Sequence, residues 1–263
     1  MGLDLGLHFG PMAGESTKGG TISTKGQRLL RNYREPTPAR ELPPELQREA
    51  VLHFDHTRLD LASHVADLLG VGSANRLEKY VVSEDASSGR SFPKSAHDRV
   101  RGCKPLVELY EALIQEVVGP HLLSFFPGET ELLYQFPPTL RVHCSCNPPK
   151  ALGRMHCDAQ YGHQVGEVNF WLPLTELEET STLWAESAPG LEDFRPFLRR
   201  PGEIQRFHGT WCRHFTRPNT SGRSRVSLDF RCAARSAFDA SWQLPGVVHR
   251  HEMRSMAFAP QSV

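Results

Sequence analysis

The sequence is short of the features that mark several common protein classes. Its 263 residues include only six cysteines, at positions 103, 144, 146, 157, 212 and 232. None forms a Cys-x-x-Cys pair, so neither a zinc ribbon nor a small disulfide-built scaffold is expected, and the thiols read as free in a reducing compartment. Cys144 and Cys146 would share one side of a strand, which leaves a bridge or a metal site open for that pair. Neither sign of charge is in excess: 30 Lys and Arg face 30 Asp and Glu. No global field therefore draws the chain to nucleic acid or to an anionic membrane. No apolar run is long enough to span a bilayer. The first residues lack the basic-then-apolar order of a secretory leader, and Gly6 stands where a myristoylation signal needs Ser or Thr. A cytoplasmic location is the default expectation, with organellar import left open. No repeat with a period of roughly 20–50 residues is visible, which argues against a solenoid or propeller.

The hydrophobic residues that are present, 39% of the chain with 14 Phe, suffice for one sizeable core, and a chain of this length is expected to form a single catalytic domain. Residues 1–45 read as a tail and connector, partly flexible: the first 25 have little periodicity, and Pro36, Pro38, Pro43 and Pro44 favour extended backbone. The domain is expected over 46–250, with a helical lead-in over 46–126 and β structure over 130–235; residues 251–263 read as a C-terminal tail. Helical spacing links Leu46, Val51, Leu59, Leu61, Val65, Leu68 and Leu69. It recurs more clearly at Leu106, Leu109, Leu113, Ile114 and Val117, before Gly119-Pro120. Beyond Pro127-Gly128 the texture turns β-like, and strands are predicted over 132–136, 139–144, 154–158, 167–174, 181–185, 204–208 and 224–231. Many short consecutive strands after N-terminal helices point to a mainly β protein with a jelly-roll or related barrel.

Within that β region, His156-Cys157-Asp158 sets an imidazole and a carboxylate two positions apart, which on a strand share one face while Cys157 points away as an inert core thiol. A second imidazole from a distant strand would complete the two-histidine, one-carboxylate face used by non-haem iron(II), with open positions left on the metal. His-x-Asp alone carries little weight. Downstream, His214-Phe-Thr216-Arg-Pro-Asn219-Thr-Ser221-Gly-Arg-Ser-Arg225 supplies a histidine, a polar turn and then an arginine. His208 is a rival third ligand, but His214 has Arg225 eleven residues on. A surface ion pair between Arg225 and Asp229 is the simpler reading of that arginine.

These motifs resemble those of the iron(II)/2-oxoglutarate oxygenases, and within them the phytanoyl-CoA dioxygenase-like superfamily, whose second half carries His-x-Ser/Thr-x-x-Asn-x-Ser-x-x-x-Arg after an upstream His-x-Asp. The segments from Tyr161 to Thr175, Thr182 to Glu186 and Pro189-Gly190 look like the StrG-type branch of streptomycin biosynthesis. The resemblance runs from about Leu132 to Arg231. It implies a double-stranded β-helix (a cupin-like jelly-roll), with His156, Asp158 and His214 as metal ligands and catalytic centre. It also implies Arg225 as the partner of the distal carboxylate of 2-oxoglutarate. A planar, permanently charged guanidinium suits that task independently. Ser227, on the same face as Arg225, is a candidate second contact for the cosubstrate. Asn169 and Trp171, alternate positions of one predicted strand, are nominated as pocket-lining residues on the cofactor side. The cofactors implied are Fe(II), 2-oxoglutarate and O2, with ascorbate as an accessory reductant.

The resemblance further implies oxidation, most simply hydroxylation, of a small polar metabolite with release of succinate and CO2. A sugar, cyclitol or aminoglycoside-like compound is the first class to test, with no nucleic-acid and no membrane partner. The Pro-Gly-Ser-His turn common in the phytanoyl-type enzymes is replaced by Ser187-Ala-Pro-Gly190, so their substrates do not transfer. Asp158 argues against a halogenase. Two other readings stay open: a zinc or manganese hydrolase or isomerase on the same barrel, with Glu167 or Glu186 as base, and a non-catalytic binding protein. His163, Gln164, Glu167 and Glu186 are candidates for contacts around the substrate. The basic run from Lys25 to Arg34 lacks the repeated aromatic residues of a nucleic-acid platform.

Overall fold

A computed structural model describes residues 21–81, 94–247 and 251–260, with side chains omitted for 94–96. The helices are α1 (Thr24–Arg31), α2 (Leu61–Leu69), α3 (Lys94–Gly102), α4 (Lys104–Leu113) and α5 (Gly119–Leu123). The strands are β1 (Ala50–His53), β2 (Glu131–Phe136), β3 (Thr139–His143), β4 (Val168–Pro173) and β5 (Leu183–Ala185), then β6 (Arg195–Pro196), β7 (Glu203–Phe207), β8 (His214–Thr216), β9 (Arg225–Ala234) and β10 (Glu252–Ala257). All pairings are antiparallel. The larger sheet runs β1-β7-β4-β9-β2-β10, with β3 also paired to β9; the smaller runs β6-β5-β8. No helix among the described residues is long and apolar enough to cross a membrane.

The larger sheet is built on strict alternation. In β9, Val226, Leu228, Phe230 and Cys232 join the main apolar core, and in β4 Val168, Phe170 and Leu172 do the same. The intervening residues, Arg225, Ser227, Asp229 and Arg231 on β9 with Asn169 and Trp171 on β4, therefore occupy the opposite face. Helices α2 and α4 cover the apolar face with Leu61, Val65, Leu106, Tyr110 and Leu113. Tyr110 stands edge-on to Phe230, 5.0 Å between ring centres, and its hydroxyl donates to the Gln135 carbonyl at 2.7 Å. Each such large side chain, fully buried, contributes roughly 1.5–3 kcal/mol. Across the polar face, Trp171 and Phe207 of the larger sheet meet Ala185 of the smaller one, with Phe197 beside them.

Several elements depart from the sequence expectations. The lead-in is not helical throughout: residues 50–53 form β1 beside β7, and the helix expected from Leu46 is confined to α2, capped by Asp60 at its start and by left-handed Gly70 at its end. Gly119-Pro120 does not stop the second helix. The chain passes through a π-helical turn, Ile114–Val118, directly into α5. The bare Gly119 lets the Phe258 ring approach, since a Cβ there would lie 2.1 Å from it. The expected C-terminal tail contains β10, which pairs with β2 along its full length. Residues 24–31 of the expected N-terminal tail form α1, and 44–47 a 3-10 turn. The six cysteines are free, as expected.

Candidate active site

His156, Asp158 and His214 are brought together so that one potential ligand atom from each lies within 4.8 Å of the others. Asp158 Oδ1 is 3.7 Å from His156 Nε2 and 3.6 Å from His214 Nε2. The predicted strand over 154–158 is absent. Instead His156 and His214 form an isolated antiparallel bridge, each backbone N–H donating to the other's carbonyl at 3.1 and 2.8 Å. Asp158 then opens a 3-10 turn, Asp158–Tyr161. Extended backbone through Cys157 still turns that thiol away, into a cluster with Ile22 and Ala159, where burial pushes its pKa up to about 12.

The second hydrogen bonds of these groups fix their chemistry. His156 Nδ1 lies 2.7 Å from the Arg154 carbonyl and His214 Nδ1 3.0 Å from that of Cys212. A carbonyl only accepts, so Nδ1 carries the proton and Nε2 presents its lone pair in both rings. Burial lowers the His156 pKa to about 3, which keeps that ring neutral. Burial alone would raise the Asp158 carboxyl, yet the Arg231 guanidinium holds it well below the ordinary range. Oδ2 of Asp158 takes Asn169 Nδ2 at 2.6 Å and the Arg231 guanidinium at 2.8 and 3.1 Å. Oδ1 is left for the centre.

Arg225 lies 1% exposed, its Nε on the Ser181 carbonyl (3.0 Å) and its Nη1 on Ser227 Oγ (2.5 Å). No carboxylate among the described residues lies within ion-pair distance of it. Asp229 pairs with Arg141 instead, so the simple ion-pair reading of Arg225 fails. Burial, and then the nearby Arg141, depress its pKa to about 9. This cation lines a narrow cavity together with Trp171, Phe207, Phe215 and the two ligand-type histidines. Asn219 explains how the polar turn presents it: its amide donates to the His143 and Arg223 carbonyls at 2.8 Å, and its oxygen accepts from Ser221. A second chamber, of about 840 Å³, is lined by His156 and Asp158 and shares Arg141, Gly153 and Arg231 with the first. That volume is within the roughly 300–1,000 Å³ of small-molecule sites.

The nominated residues divide in kind. Trp171 lines the narrow cavity 5.7 Å from the Arg225 guanidinium. Asn169 also lines it, but its amide is spent on orienting Asp158 and on the Gly209 N–H. His208 is outside the cluster, with Nε2 on the Val165 carbonyl. Glu167 lines the large chamber with both oxygens engaged, by His163 and by the Gln164 N–H. Glu186 lines neither cavity and is consumed by Arg213. The Arg231 clamp on Asp158 escaped the sequence reading; its signal was the alternation Arg225-x-Ser227-x-Asp229-x-Arg231, which carries four polar groups down one face of a strand.

No protein-family model matches the chain. It is 29% identical over 191 residues to the streptomycin biosynthesis protein StrG of Streptomyces griseus, a match that covers 72% of this chain and 86% of that protein. The sequence is StrG-like. Among solved structures, the StrG-like chain superposes on the non-haem α-ketoglutarate-dependent carbocyclase SnoK of nogalamycin biosynthesis with a TM-score of 0.51 and 13% identity, over 85% of this chain and all of SnoK. The two share a fold. CytC3, solved with Fe(II) and α-ketoglutarate, matches more weakly, with a TM-score of 0.45 and 15% identity over 74% of this chain and 78% of CytC3.

Proposed function

We propose that this chain is an iron(II)- and 2-oxoglutarate-dependent oxygenase, built as a double-stranded β-helix, that oxidises a small polar metabolite. His156, Asp158 and His214 hold the metal and Arg225 receives the distal carboxylate of the cosubstrate. One observation carries the reading: the three converging residues line two adjoining cavities, and one of these is lined by a buried guanidinium that pairs with no carboxylate among the described residues. The donor set fits iron(II), with two neutral imidazole nitrogens and one carboxylate oxygen, each oriented by a hydrogen bond from its far side.

Bound there with 2-oxoglutarate and O2, the metal supplies the oxidising power, and succinate and CO2 leave. The chain's own contribution is placement. Arg225, braced by Ser227, fixes one end of a dianion, and a bidentate pairing sets its orientation. Trp171, Phe207 and Phe215 keep that cavity dry, which strengthens the pairing. Arg231 and Asn169 hold Asp158 ionised and aimed. The large chamber receives the substrate; the kinship with StrG makes sugars, cyclitols and aminoglycoside-like compounds the first to screen, with hydroxylation the expected outcome. A hydrolase or isomerase needs a free base by the metal, and Glu167 and Glu186 are both engaged. Anaerobic addition of iron(II) and 2-oxoglutarate is expected to produce a visible charge-transfer band, and admission of air to produce succinate. No band and no succinate would remove the reading.

A further inference from the structure

The outer wall of the large chamber belongs to the N-terminal segment. Ser23, Lys25, Gly26 and Leu29 line it, as do Arg154 and Gln160. The segment is fastened in place. The Tyr33 hydroxyl donates to the His163 carbonyl at 3.3 Å, its ring packs 4.8 Å from Trp211 and 5.1 Å from Trp242, and Trp242 Nε1 donates to the Arg34 carbonyl at 2.6 Å. The closest approach is at Gly26, where a Cβ would lie 2.5 Å from Gln160 Oε1. Helix α1 therefore rests on Gln160 because position 26 has no side chain.

The carboxylates of this chamber are all committed. Asp158 is taken by Arg231 and Asn169, and Glu167 by His163 at 2.7 Å and the Gln164 N–H at 2.9 Å. Two of its cations are not. Arg231 matches Asp158 and Arg141 matches Asp229, but Lys25 and Arg154 have no carboxylate within 4 Å among the described residues. Beside them Gln160, 3% exposed, makes no side-chain hydrogen bond among the described residues, and its Oε1 is fully enclosed without a partner. That oxygen only accepts and gains nothing from an anion; the amide Nε2 of the same side chain, also without a partner among the described residues, is the group that can donate to one. The first turn of α1, the partially positive end of that helix, borders the same space. Iron(II) and a dianion cancel in the metal centre, and Arg231 and Arg141 are matched, so Lys25 and Arg154 outnumber the one remaining carboxylate of the chamber, Glu167.

We infer that the chamber selects a substrate bearing an anionic group, a phosphate ester or a carboxylate, held by Lys25 and Arg154 beside Gln160, and selects against ammonium-bearing compounds. The inference rests on the oxygenase reading for the use of the chamber and narrows its substrate class, setting amino sugars aside. It is tested on full-length protein loaded anaerobically with iron(II) and 2-oxoglutarate, by calorimetric titration with glucose 6-phosphate, glucuronate, glucose and glucosamine. At least one of the two anions is expected to bind tenfold or more tightly than glucose, and glucosamine more weakly than glucose; the tighter anion tells phosphate from carboxylate. The exposed double variant K25E/R154E is expected to lose the anion preference by tenfold or more. Glucosamine binding as well as the anions, no binding of either anion, or a preference unchanged in the double variant would each overturn the inference. The charge-transfer band, read in the same samples, keeps the two claims apart. Where it forms and the anions are not preferred, the substrate class is wrong; where it never forms, the oxygenase reading is wrong.

Discussion

Along β9 the residues of one face, Val226, Leu228, Phe230 and Cys232, enter the apolar layer under α2 and α4, while on the other Arg225, Asp229 and Arg231 line the cavities and Ser227 braces Arg225. Both faces are almost fully dry. They differ in what specifies them. The apolar face asks for volume and is served by any well-packed side chain, whereas each polar residue is tied to one partner: Arg231 to Asp158, Asp229 to Arg141, Ser227 to Arg225. Arg225 alone among the three β9 charges has no partner of opposite sign within the described chain. One strand thus carries stability on one side and chemistry on the other, and substitutions should separate the two.

The largest effect is expected just off the polar face. Asp158→Ala removes a ligand and leaves Arg231 buried without its counter-charge, so the iron(II)–2-oxoglutarate band should disappear; a band of ordinary intensity would break the division. Arg225→Gln should come next. Truncating one side of a buried charged pair costs about 2–5 kcal/mol, a loss of roughly 30-fold or more in 2-oxoglutarate affinity, with the fold intact by circular dichroism. On the apolar face, Phe230→Ala should cost about 3–5 kcal/mol of unfolding free energy in urea while the cosubstrate affinity of the remaining folded protein changes little. Ser227→Ala should weaken 2-oxoglutarate only several-fold, in keeping with about 0.5–1.5 kcal/mol for one hydrogen bond.

A separate effect concerns pH and rests on two histidines outside the metal-ligand cluster. Burial, and then the guanidinium of Arg206 or Arg225, lowers the pKa of His121 and His143 to about 4, against about 6.5 for an unfolded histidine. Between those values the unfolded chain binds protons that the folded chain refuses. Stability is therefore full above pH 6.5, falls as the pH drops through this window and levels off below about 4. Urea midpoints measured across the window should show the fall, and His121→Gln should make it shallower.

Much of this was legible in the sequence because alternation of period two is a local signal. It marks β4 and β9 directly, and the motif ending in Arg225 orders the site. The strands that escaped are short or weakly patterned: β1 has four residues, β6 two and β8, which carries His214, three, while β10 lies at a sheet edge, half-exposed, with charges that read as a tail. His156 and Asp158 converge as expected but for another reason, a bridge and a 3-10 turn in place of a strand. Arg231 and the wall formed by α1 are long-range consequences of packing. Nothing in the residues near position 25 announces that Gly26 will lie against Gln160.

On the proposed function, the cavity lined by Arg225 holds 2-oxoglutarate against a metal kept by His156, Asp158 and His214. Anaerobic titration of 2-oxoglutarate into iron(II)-loaded protein, followed by the charge-transfer band in the natural sequence and in Arg225→Gln, tests it most directly. A saturable band whose midpoint moves at least 30-fold to higher concentration in the variant is predicted. A band with the same midpoint in both proteins, or none in either, would contradict the account.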